Sequence, residues 1–343
     1  MYKINFQEPI HIHFIGIGGI SMSGLAEILF EEHFTISGSD SKESELTRHL
    51  EHMGMQIFYG QKASNIIEGI DLVVYTAAIR EDNPEFAAAK EKGIPMLSRA
   101  ELLGQIMDNY QNSIAVSGTH GKTTTTSMIS QILLAAKKDP TITVGGILKA
   151  INGNLRVGKS DVFISEACEY TNSFLNFRPK YSIILNIEAE HLDFFKDIHD
   201  IRNSFHLFAK NTKENGAIII NGEIEDNQEI VEGLAPQVIT YGMSDACDFY
   251  PADITFNEKA CAGFTAMYHS EKVMDVALNV PGLHNVSNAL AAIALALDLK
   301  IPKEDILAGL SAFGGADRRF QYKGCIDGVT VIDDYAHHPT EIR

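Results

Sequence analysis

Cysteine is scarce in this sequence of 343 residues, and none of its four cysteines forms a C-x-x-C pair. A structural zinc site and a disulfide framework are therefore both poorly supported. Scattered thiols of this kind favour a protein that works in a reducing cytoplasm. The four residues are Cys168, Cys247, Cys261 and Cys325.

The sequence also lacks long apolar runs and has fewer basic than acidic residues. No segment is long enough to cross a bilayer, and the first residues lack the basic flank and apolar core of a signal peptide. The chain carries 28 lysines and arginines against 45 aspartates and glutamates, which gives a formal net charge of -17. Such a surface repels nucleic acid. A small phosphorylated ligand can still bind, because a nest of backbone N–H groups and one lysine is enough.

Strands and helices alternate along most of the chain, which predicts a parallel α/β fold. The composition, with 45% hydrophobic and 21% charged residues, is that of a globular protein of two or three domains. A polar stretch at 108–112 is typical of a linker. Strands are expected at 10–15, 35–38, 71–76, 95–98, 113–117, 162–165, 181–186, 217–220 and 330–332, and helices at 22–30, 43–53, 83–92, 100–107 and 289–297.

A glycine turn follows the first predicted strand. Gly16, Gly18 and Gly19 lie between that strand and a helix, and Asp40 follows the second strand. This arrangement predicts a Rossmann-like first domain. A dinucleotide-dependent oxidoreductase is one interpretation, although a strict G-x-G-x-x-G motif would need glycine at position 21, which is Ser21.

The strongest signal is the segment GTHGKTTTT at 118–126, which joins a buried strand to a long helix. Its two glycines permit a tight turn with backbone N–H groups facing an anion, and Lys122 can neutralise the outer phosphates of a nucleotide. The hydroxyl of Thr123 is placed to bind Mg²⁺. A strict Walker motif would need glycine at position 116, which is Val116. The predicted phosphate loop consists of Gly118, Thr119, His120, Gly121, Lys122, Thr123 and Thr124.

Polar side chains follow two later strands. Glu166 comes directly after the run at 162–165, and His191 follows the run at 181–186. If both strands end beside the phosphate loop, the carboxylate can hold Mg²⁺ and the imidazole a second metal ion. Glu166 is preferred to Glu169 because it is nearer to its strand. A solvent-facing carboxylate and a hydrogen-bonded structural histidine are the plainer alternatives.

Three further segments are rich in polar groups. Asn285 in PGLHN can recognise adenine through its amide, although an asparagine here also suits a helix N-cap. Arg318 and Arg319 in GADRRF can bind a phosphate or form a solvated basic turn. Asp334 and His337 in DDYAHHPTEI follow a late strand, where α/β proteins place chemistry.

Taken in order, these segments resemble the Mur ligase family along the whole chain, and its alanine-adding branch in particular. The resemblance is carried by HFIGIGGISMSGLAEIL, SGSD, EACEY, AEHLD, PGLHN, GADRRF and DDYAHHPTEI. The loop GTHGKT also resembles that of folylpolyglutamate synthetase. One departure is Phe205, which stands where several family members carry a carbamylated lysine.

The resemblance implies a fold and a division into domains. We expect a Rossmann-like, UDP-sugar-binding domain at 1–111, a P-loop-type central ATP-binding domain at 112–321, and the beginning of a third α/β domain at 322–343. Family members normally continue beyond this point. The 343-residue chain alone is therefore expected to ligate poorly.

The resemblance also implies an activity in peptidoglycan-precursor synthesis. The lactyl carboxylate of UDP-N-acetylmuramate would attack the γ-phosphate of ATP, and L-alanine would then displace phosphate from the acyl phosphate. Lys122 and Thr123 would serve the phosphates and the first Mg²⁺, with Glu166 on the same ion and His191 on a second metal. The other implied roles are adenine for Asn285, γ-phosphate for Arg319 with Arg318, ribose for Asp334, the acyl phosphate for His337, and the UDP-sugar for Gly18, Gly19, Ser39, Asp40, Thr76 and Arg99.

Several other functions stay open at this point. A sister ligase that attaches a recycled tripeptide to UDP-N-acetylmuramate is similar, and folylpolyglutamate synthetase shares the loop. Outside the ligases, the alternatives are an NAD-binding oxidoreductase and a nucleotide-binding module without catalytic activity.

Overall fold

The computed structural model describes residues 2–316, 321–334 and 336. It divides the chain into two compact units, Met1–Asn109 and Tyr110–Arg343. Each unit is built on a sheet whose central strands are parallel and connected through helices, which confirms the predicted α/β fold class. Three residues with predicted roles, Arg318, Arg319 and His337, lie outside the described residues.

The first unit contains a five-stranded parallel sheet in the order β3-β2-β1-β4-β5. Its central strand is buried from Ile12 to Ile15, as expected for a parallel strand covered on both faces. The strands are β1 (His11–Ile15), β2 (Thr35–Asp40), β3 (Gln56–Tyr59), β4 (Leu72–Tyr75) and β5 (Met96–Ser98). The helices are α1 (Ile20–Glu31), α2 (Glu45–Met53), α3 (Pro84–Glu91) and α4 (Arg99–Asp108).

Side-chain caps define where most helices of the first unit begin. Ser44 and Ser98 each form a capping box with the residue three positions later, at the starts of α2 and α4. α3 begins with Pro84 after the N-cap Asn83, whose side chain accepts two backbone hydrogen bonds. α1 differs, because its N-cap is Gly19 and no side chain caps it. The first N–H groups of α1 are therefore the ones available to a ligand.

The second unit contains a ten-stranded sheet in the order β15-β14-β13-β12-β11-β10-β6-β9-β7-β8. Its strands are β6 (Asn112–Ser117), β7 (Thr141–Leu148), β8 (Gly153–Arg156), β9 (Val162–Glu166), β10 (Tyr181–Ile184), β11 (Ala217–Asn221), β12 (Gln237–Tyr241), β13 (Phe249–Phe256), β14 (Cys261–Tyr268) and β15 (Glu271–Pro281). The helices are α5 (Lys122–Ala135), α6 (Ile198–Lys210), α7 (Asn227–Val231), α8 (His284–Asp298) and α9 (Lys303–Ala312). An antiparallel hairpin, β16 (Gln321–Ile326) and β17 (Val329–Asp333), follows.

The centre of this sheet is parallel, and both of its edges are antiparallel. β6 precedes the phosphate loop and lies between two other strands, β10, which precedes His191, and β9, which ends at Glu166. These three functional segments therefore start from neighbouring strands. The antiparallel strands β13 to β15 were not predicted from the sequence. β15 alternates buried and exposed residues because only one of its faces packs on the core, which makes its apolar signal weak.

The Ala-rich helix α8 is the helix with the most buried residues in the second unit. Eleven of its residues are buried, among them every alanine of the helix. It packs against α5 and against several strands of the sheet. Small side chains allow this close approach, so the composition that predicted a helix also explains its position.

Among the described residues, no helix combines the length and the apolar character needed to span a bilayer. The domain boundaries predicted at 111/112 and 321/322 stay predictions.

A cluster of buried polar side chains lies on one face of the first sheet. His13 is fully buried, and its Nδ1 lies 2.9 Å from Ser37 Oγ. Its Nε2 has no hydrogen-bond partner and lies 3.9 Å from a carboxylate oxygen of Glu85. Burial lowers the pKa of His13 to about 4, and neighbouring His11 adds to the effect. Burial also raises the pKa of Glu85, against hydrogen bonds from Ser39 and Asn65.

We predict that His13 makes the first unit sensitive to acid. Well above pH 6.5 its imidazole is neutral in both the folded and the unfolded chain. As the pH falls through 6.5 towards 4, the unfolded chain takes up the proton first, so the contribution of His13 lowers the unfolding free energy by about 3 kcal/mol. His13→Asn, which retains a polar atom near Ser37, should remove this loss.

Hydrogen exchange of the β1 amides, corrected for the pH dependence of intrinsic exchange, measures the difference. The same substitution at the exposed His52 is the control. Parallel stability profiles for the wild type and His13→Asn between pH 7 and pH 4 would contradict the prediction.

Candidate functional site

The glycine turn of the first unit is held by the end of the neighbouring strand. The backbone N–H groups of Gly16 and Ile17 both donate to the carbonyl of Ser39, at 2.8 and 2.9 Å. Gly16 has a φ of +85°, and a Cβ there would lie 2.9 Å from a methyl carbon of Thr76. The turn therefore needs glycine at this position for both its backbone conformation and its packing.

Ser39 and Asp40 contact the turn in different ways. Ser39 is buried, and its hydroxyl donates to Glu85 at 2.5 Å. Asp40 accepts from the N–H of Gly18 at 2.9 Å, and a Cβ on Gly18 would come within 2.8 Å of the same carboxylate. Asp40 thus holds the glycine turn through its carboxylate, and Ser39 holds it through its backbone carbonyl.

Two more predicted residues lie at the carboxyl ends of β4 and β5. The hydroxyl of Thr76 accepts from the N–H of Ala78 at 3.1 Å, and the guanidinium of Arg99 donates to Ser21 at 3.1 Å. Both are partly exposed. Since all strands of this sheet are parallel, the six residues predicted for the UDP-sugar share one edge of the sheet. Their role in binding stays a prediction.

The phosphate loop joins β6 to α5 in the second unit. Gly118 and Gly121 have φ angles of +139° and +82°, which side chains rarely adopt. A Cβ at either position would lie 2.9 Å from a neighbour, Leu185 for Gly118 and Asn288 for Gly121. Gly121 is the N-cap of α5, and no side chain caps this helix. A helix start with available N–H groups favours an anion.

Asn186 holds the phosphate loop in place, and it is not among the site residues predicted from the sequence. Its amide accepts from the N–H of His120 at 2.7 Å and donates to the carbonyl of the same residue at 3.1 Å. Its own carbonyl accepts from the N–H of Thr119 at 3.2 Å. An asparagine directly after a buried strand was the available signal, but its partners are 66 residues away in the sequence.

The ammonium group of Lys122 contacts three residues of the second unit. Its ammonium group donates to the carbonyls of Gly118 and Thr119, at 2.5 and 3.1 Å. It also contacts both carboxylate oxygens of Glu169, at 3.1 and 3.0 Å. The side chain of Glu169 is only 3% exposed and that of Lys122 17%, so this is a largely buried ion pair. The lysine that was predicted to face phosphate is thus held by the glutamate that the sequence analysis ranked second.

Glu166 and Thr123, which were predicted to hold Mg²⁺, lie on elements adjoining the loop. Glu166 ends β9 and stands beside Val116 of β6, and its carboxylate accepts from the N–H of Gly145 at 2.5 Å. Thr123 is buried in the first turn of α5. Their role as metal ligands stays a prediction.

His191 belongs to a cluster of possible metal ligands. Ligand atoms of Glu169, Glu190 and His191 all lie within 4.8 Å of one another. The ring of Tyr170 lies 4.6 Å from that of His191, and its hydroxyl donates to Asp193 at 2.9 Å. His191 has a φ of +54°, a strained conformation that non-glycine residues adopt mostly where the surrounding structure enforces it.

The start of α8 lies against the phosphate loop. Asn288 approaches Gly121, and its amide donates to Asn285 at 3.1 Å. The amide of Asn285 in turn donates to the carbonyl of Pro281 at 2.7 Å. Burial lowers the pKa of His284, and the carboxylate of Asp334 opposes this effect. The structure thus brings Asn288 to the loop with Asn285 hydrogen-bonded to it, and the electrostatic effect of Asp334 reaches the beginning of the same helix.

Negative charge dominates the surroundings of Lys122. One ammonium group faces the carboxylate of Glu169, with Glu190 beside it and Glu166 on the adjoining strand. A triphosphate would add more negative charge at short range, where like charges repel strongly. Oxygen ligands and an imidazole close together suit a divalent cation. The residues present therefore fit the cation that a nucleotide site of this charge needs.

Two family models match the chain. The model described as "Mur ligase family, catalytic domain" matches residues 11–111, and the model described as "Mur ligase middle domain" matches residues 116–296. Together they cover the glycine turn, the phosphate loop, the metal-ligand cluster and the start of α8.

Curated and solved proteins agree with these models. A UDP-N-acetylmuramate–L-alanine ligase from Agathobacter rectalis is 73% identical over 343 residues, which are 100% of this chain and 75% of the relative. The crystal structure of UDP-N-acetylmuramate-alanine ligase MurC from Thermotoga maritima has a TM-score of 0.79 at 32% identity and covers 97% of this chain and 76% of that one. The UDP-N-acetylmuramate:L-alanyl-gamma-D-glutamyl-meso-diaminopimelate ligase from Neisseria meningitides has a TM-score of 0.80 at 27% identity, covering 91% and 100%.

We predict that Asn186→Ala weakens ATP binding roughly tenfold, because two hydrogen bonds to the backbone of His120 are lost. The loop glycines and Lys122 remain, so the fold should survive while the loop loses its fixed shape. Equilibrium titration with ATP measures the change. Asn176→Ala, which removes an exposed amide of the same unit, is the control. An unchanged affinity of Asn186→Ala for ATP would show that the hydrogen bonds between Asn186 and His120 are not needed for nucleotide binding.

Proposed function

The chain belongs to the Mur ligase family, and we propose that it is the ligase that joins L-alanine to the lactyl carboxylate of UDP-N-acetylmuramate with cleavage of ATP. The observation that carries the proposal is the phosphate loop around Lys122, built in the second unit of a chain whose whole length is 73% identical to a ligase named for this reaction. The predicted family and the predicted ATP-dependent ligase activity are confirmed.

The chemistry explains why a nucleotide is required. A carboxylate is a poor electrophile, so the amine of L-alanine cannot displace its oxygen directly. Attack of a carboxylate oxygen on the γ-phosphate forms an acyl phosphate and releases ADP. The amine then attacks the carbonyl carbon, the bond to the phosphate oxygen breaks, inorganic phosphate leaves, and the amine loses a proton. One ATP is cleaved for each amide formed.

The residues of the phosphate loop bind and orient the nucleotide in this proposal. The N–H groups at the start of α5 face the phosphates, and the positive end of the helix stabilises their charge. Lys122 neutralises charge that accumulates as the γ-phosphate is transferred. Asn186 holds this loop through its hydrogen bonds to His120. The loop is completed by Gly118, Thr119, His120, Gly121 and Thr124.

Mg²⁺ belongs to the proposal as the partner of the nucleotide. When bound, it screens the phosphate oxygens and orients the γ-phosphate for in-line attack. Thr123, Glu166 and His191 remain the proposed ligands, and the cluster around His191 adds Glu169 and Glu190 as candidates. The short distances within that cluster and its excess of carboxylates support His191, Glu169 and Glu190 as ligands.

Further contacts are proposed for each substrate. We assign Asn285 to the adenine and Asp334 to the ribose, since both are associated with the start of α8. Arg318, Arg319 and His337 keep their roles at the phosphates as predictions. The UDP-sugar is assigned to the carboxyl edge of the first sheet, with Gly18, Gly19, Ser39, Asp40, Thr76 and Arg99. We place the reaction in the cytoplasm, where ATP is available.

The recycled-tripeptide ligase is the alternative that the fold supports as well. Its structural representative from Neisseria meningitides has a TM-score of 0.80, close to the value of 0.79 for the alanine-adding ligase. The fold of these two units therefore does not select the amine acceptor. The sequence identity of 73% to an L-alanine ligase is what favours L-alanine.

The reaction is tested by measuring phosphate release and the UDP-linked product with ATP, Mg²⁺, UDP-N-acetylmuramate and L-alanine, omitting each in turn. Because the chain spans 75% of its Agathobacter rectalis relative, the assay is run on this chain and on a version completed with the uncovered segment of that relative. Product that requires all four components is expected from the completed version. Product from the tripeptide but not from L-alanine would transfer the assignment to the recycling ligase.

We predict that Lys122→Met lowers phosphate release about a hundredfold or more in the completed version, since the main positive charge at the γ-phosphate is lost. Lys138→Met removes an exposed lysine just after α5 and should leave the rate unchanged. Circular dichroism checks that both variants are folded. Comparable rates for Lys122→Met and the wild type would remove Lys122 from the proposed mechanism.

A further inference from the structure

The contacts of Lys122 leave it no free donor for a phosphate. An ammonium group has three N–H bonds. In this loop they face the carbonyls of Gly118 and Thr119 and the carboxylate of Glu169. A triphosphate can bind Lys122 only if one of these contacts is broken.

Glu169 is the partner that can be exchanged. The carbonyls of Gly118 and Thr119 belong to the same turn as the lysine, so they move with it. Glu169 lies 47 positions later in the chain, on the loop that follows β9. It occupies the position beside the ammonium group that an anionic phosphate oxygen would need.

The loop of Glu169 is anchored and cannot carry its carboxylate away into solvent. Ala167 donates to Val116 at 2.8 Å before it, and Phe174 donates to Cys168 at 3.0 Å after it. The ring of Phe174 is fully buried and stacks on Phe208 at 4.8 Å. Glu169 itself is 2% exposed. A carboxylate that loses its cation at such a place would be buried and unpaired, which is costly.

The backbone at this place is held in a rare conformation. Thr171 and Asn172 both have positive φ angles, 53° and 57°, inside the turn that follows Glu169. The N–H of Asn172 donates to the carbonyl of Glu169 at 2.9 Å, which closes this turn. Two consecutive strained residues persist only where the surrounding structure enforces them, so the turn that contains the backbone of Glu169 is a defined part of the fold.

We propose that Glu169 is a positioning residue that holds Lys122 in the nucleotide-free loop and exchanges it for the divalent cation when the nucleotide binds. The inference rests on the proposed function, because it takes ATP as the ligand of the loop. Glu190 and His191 lie within 4.8 Å of the carboxylate, so a cation shared with them compensates Glu169 once Lys122 has turned to the phosphates. Cation and nucleotide then bind cooperatively, and the carboxylate of Glu169 is one source of the coupling.

The test measures this coupling by titrating the 343-residue chain with ATP, once in Mg²⁺ and once in EDTA. The ratio of the two dissociation constants is the Mg²⁺ factor. Glu169→Gln removes the charge and keeps the shape. We expect it to bind ATP about tenfold more tightly than the wild type in EDTA, because a charged hydrogen-bonded contact no longer competes for Lys122, and the Mg²⁺ factor to fall by a similar amount or more.

Two further variants separate this role from a merely structural one. Glu169→Asp keeps the charge on a shorter side chain, so its Mg²⁺ factor should lie between those of the wild type and Glu169→Gln. Asp193→Asn removes a neighbouring exposed carboxylate that contacts Tyr170 and not Lys122, so its Mg²⁺ factor should stay at the wild-type value. Thermal unfolding confirms that each variant is folded.

Several outcomes would overturn the inference. Damage to the loop would weaken binding equally in Mg²⁺ and in EDTA, and would leave the Mg²⁺ factor of Glu169→Gln unchanged. If the Mg²⁺ factor of Asp193→Asn or of Glu169→Asp fell as far as that of Glu169→Gln, the contact between Glu169 and Lys122 would not be the source of the coupling. Failure of the wild-type chain to bind ATP in Mg²⁺ would instead contradict the proposed function, before any variant is compared.

Discussion

The ammonium group of Lys122 stands where a strand, a glycine turn and a helix start meet, and it needs anionic or carbonyl partners whether or not a ligand is bound. In this structure the partners are two loop carbonyls and the buried carboxylate of Glu169. Several features of the second unit place Lys122 and its partners next to one another. The glycines let the chain turn tightly enough, Asn186 fixes the turn, and an anchored loop brings Glu169 to it.

Parallel strands explain why both units place their polar residues at one edge of a sheet. In the first unit, the glycine turn, Asp40, Thr76 and Arg99 all lie at the carboxyl ends of strands. In the second, β6 lies between β9 and β10, so residues separated by more than 40 positions become neighbours. Each unit therefore has one edge of a parallel sheet where polar groups collect, and these are the positions proposed above for the UDP-sugar and for ATP.

Prediction from the sequence was most successful for features that a local pattern of residues produces by itself. The α/β class, the parallel strands and the phosphate loop follow from alternation, apolar runs and glycines at a strand-to-helix turn. It was less successful for β13 to β15, whose half-buried faces give a weak pattern. The preference for Glu166 over Glu169 as the Mg²⁺ ligand stays a prediction. The ion pair between Glu169 and Lys122 was not predicted, because its partners lie 47 positions apart in the chain.

The sequence by itself determined the family, the reaction class and the loop that carries Lys122, because these depend on short segments whose residues act together. Only the tertiary structure decided which side chains meet that loop. Asn186 and Glu169 reach it from the segments that follow β10 and β9, 66 and 47 positions away from their partners. Such contacts depend on the strand order and on strained turns, which no local pattern of residues encodes, and burial then makes each of them strong enough to matter.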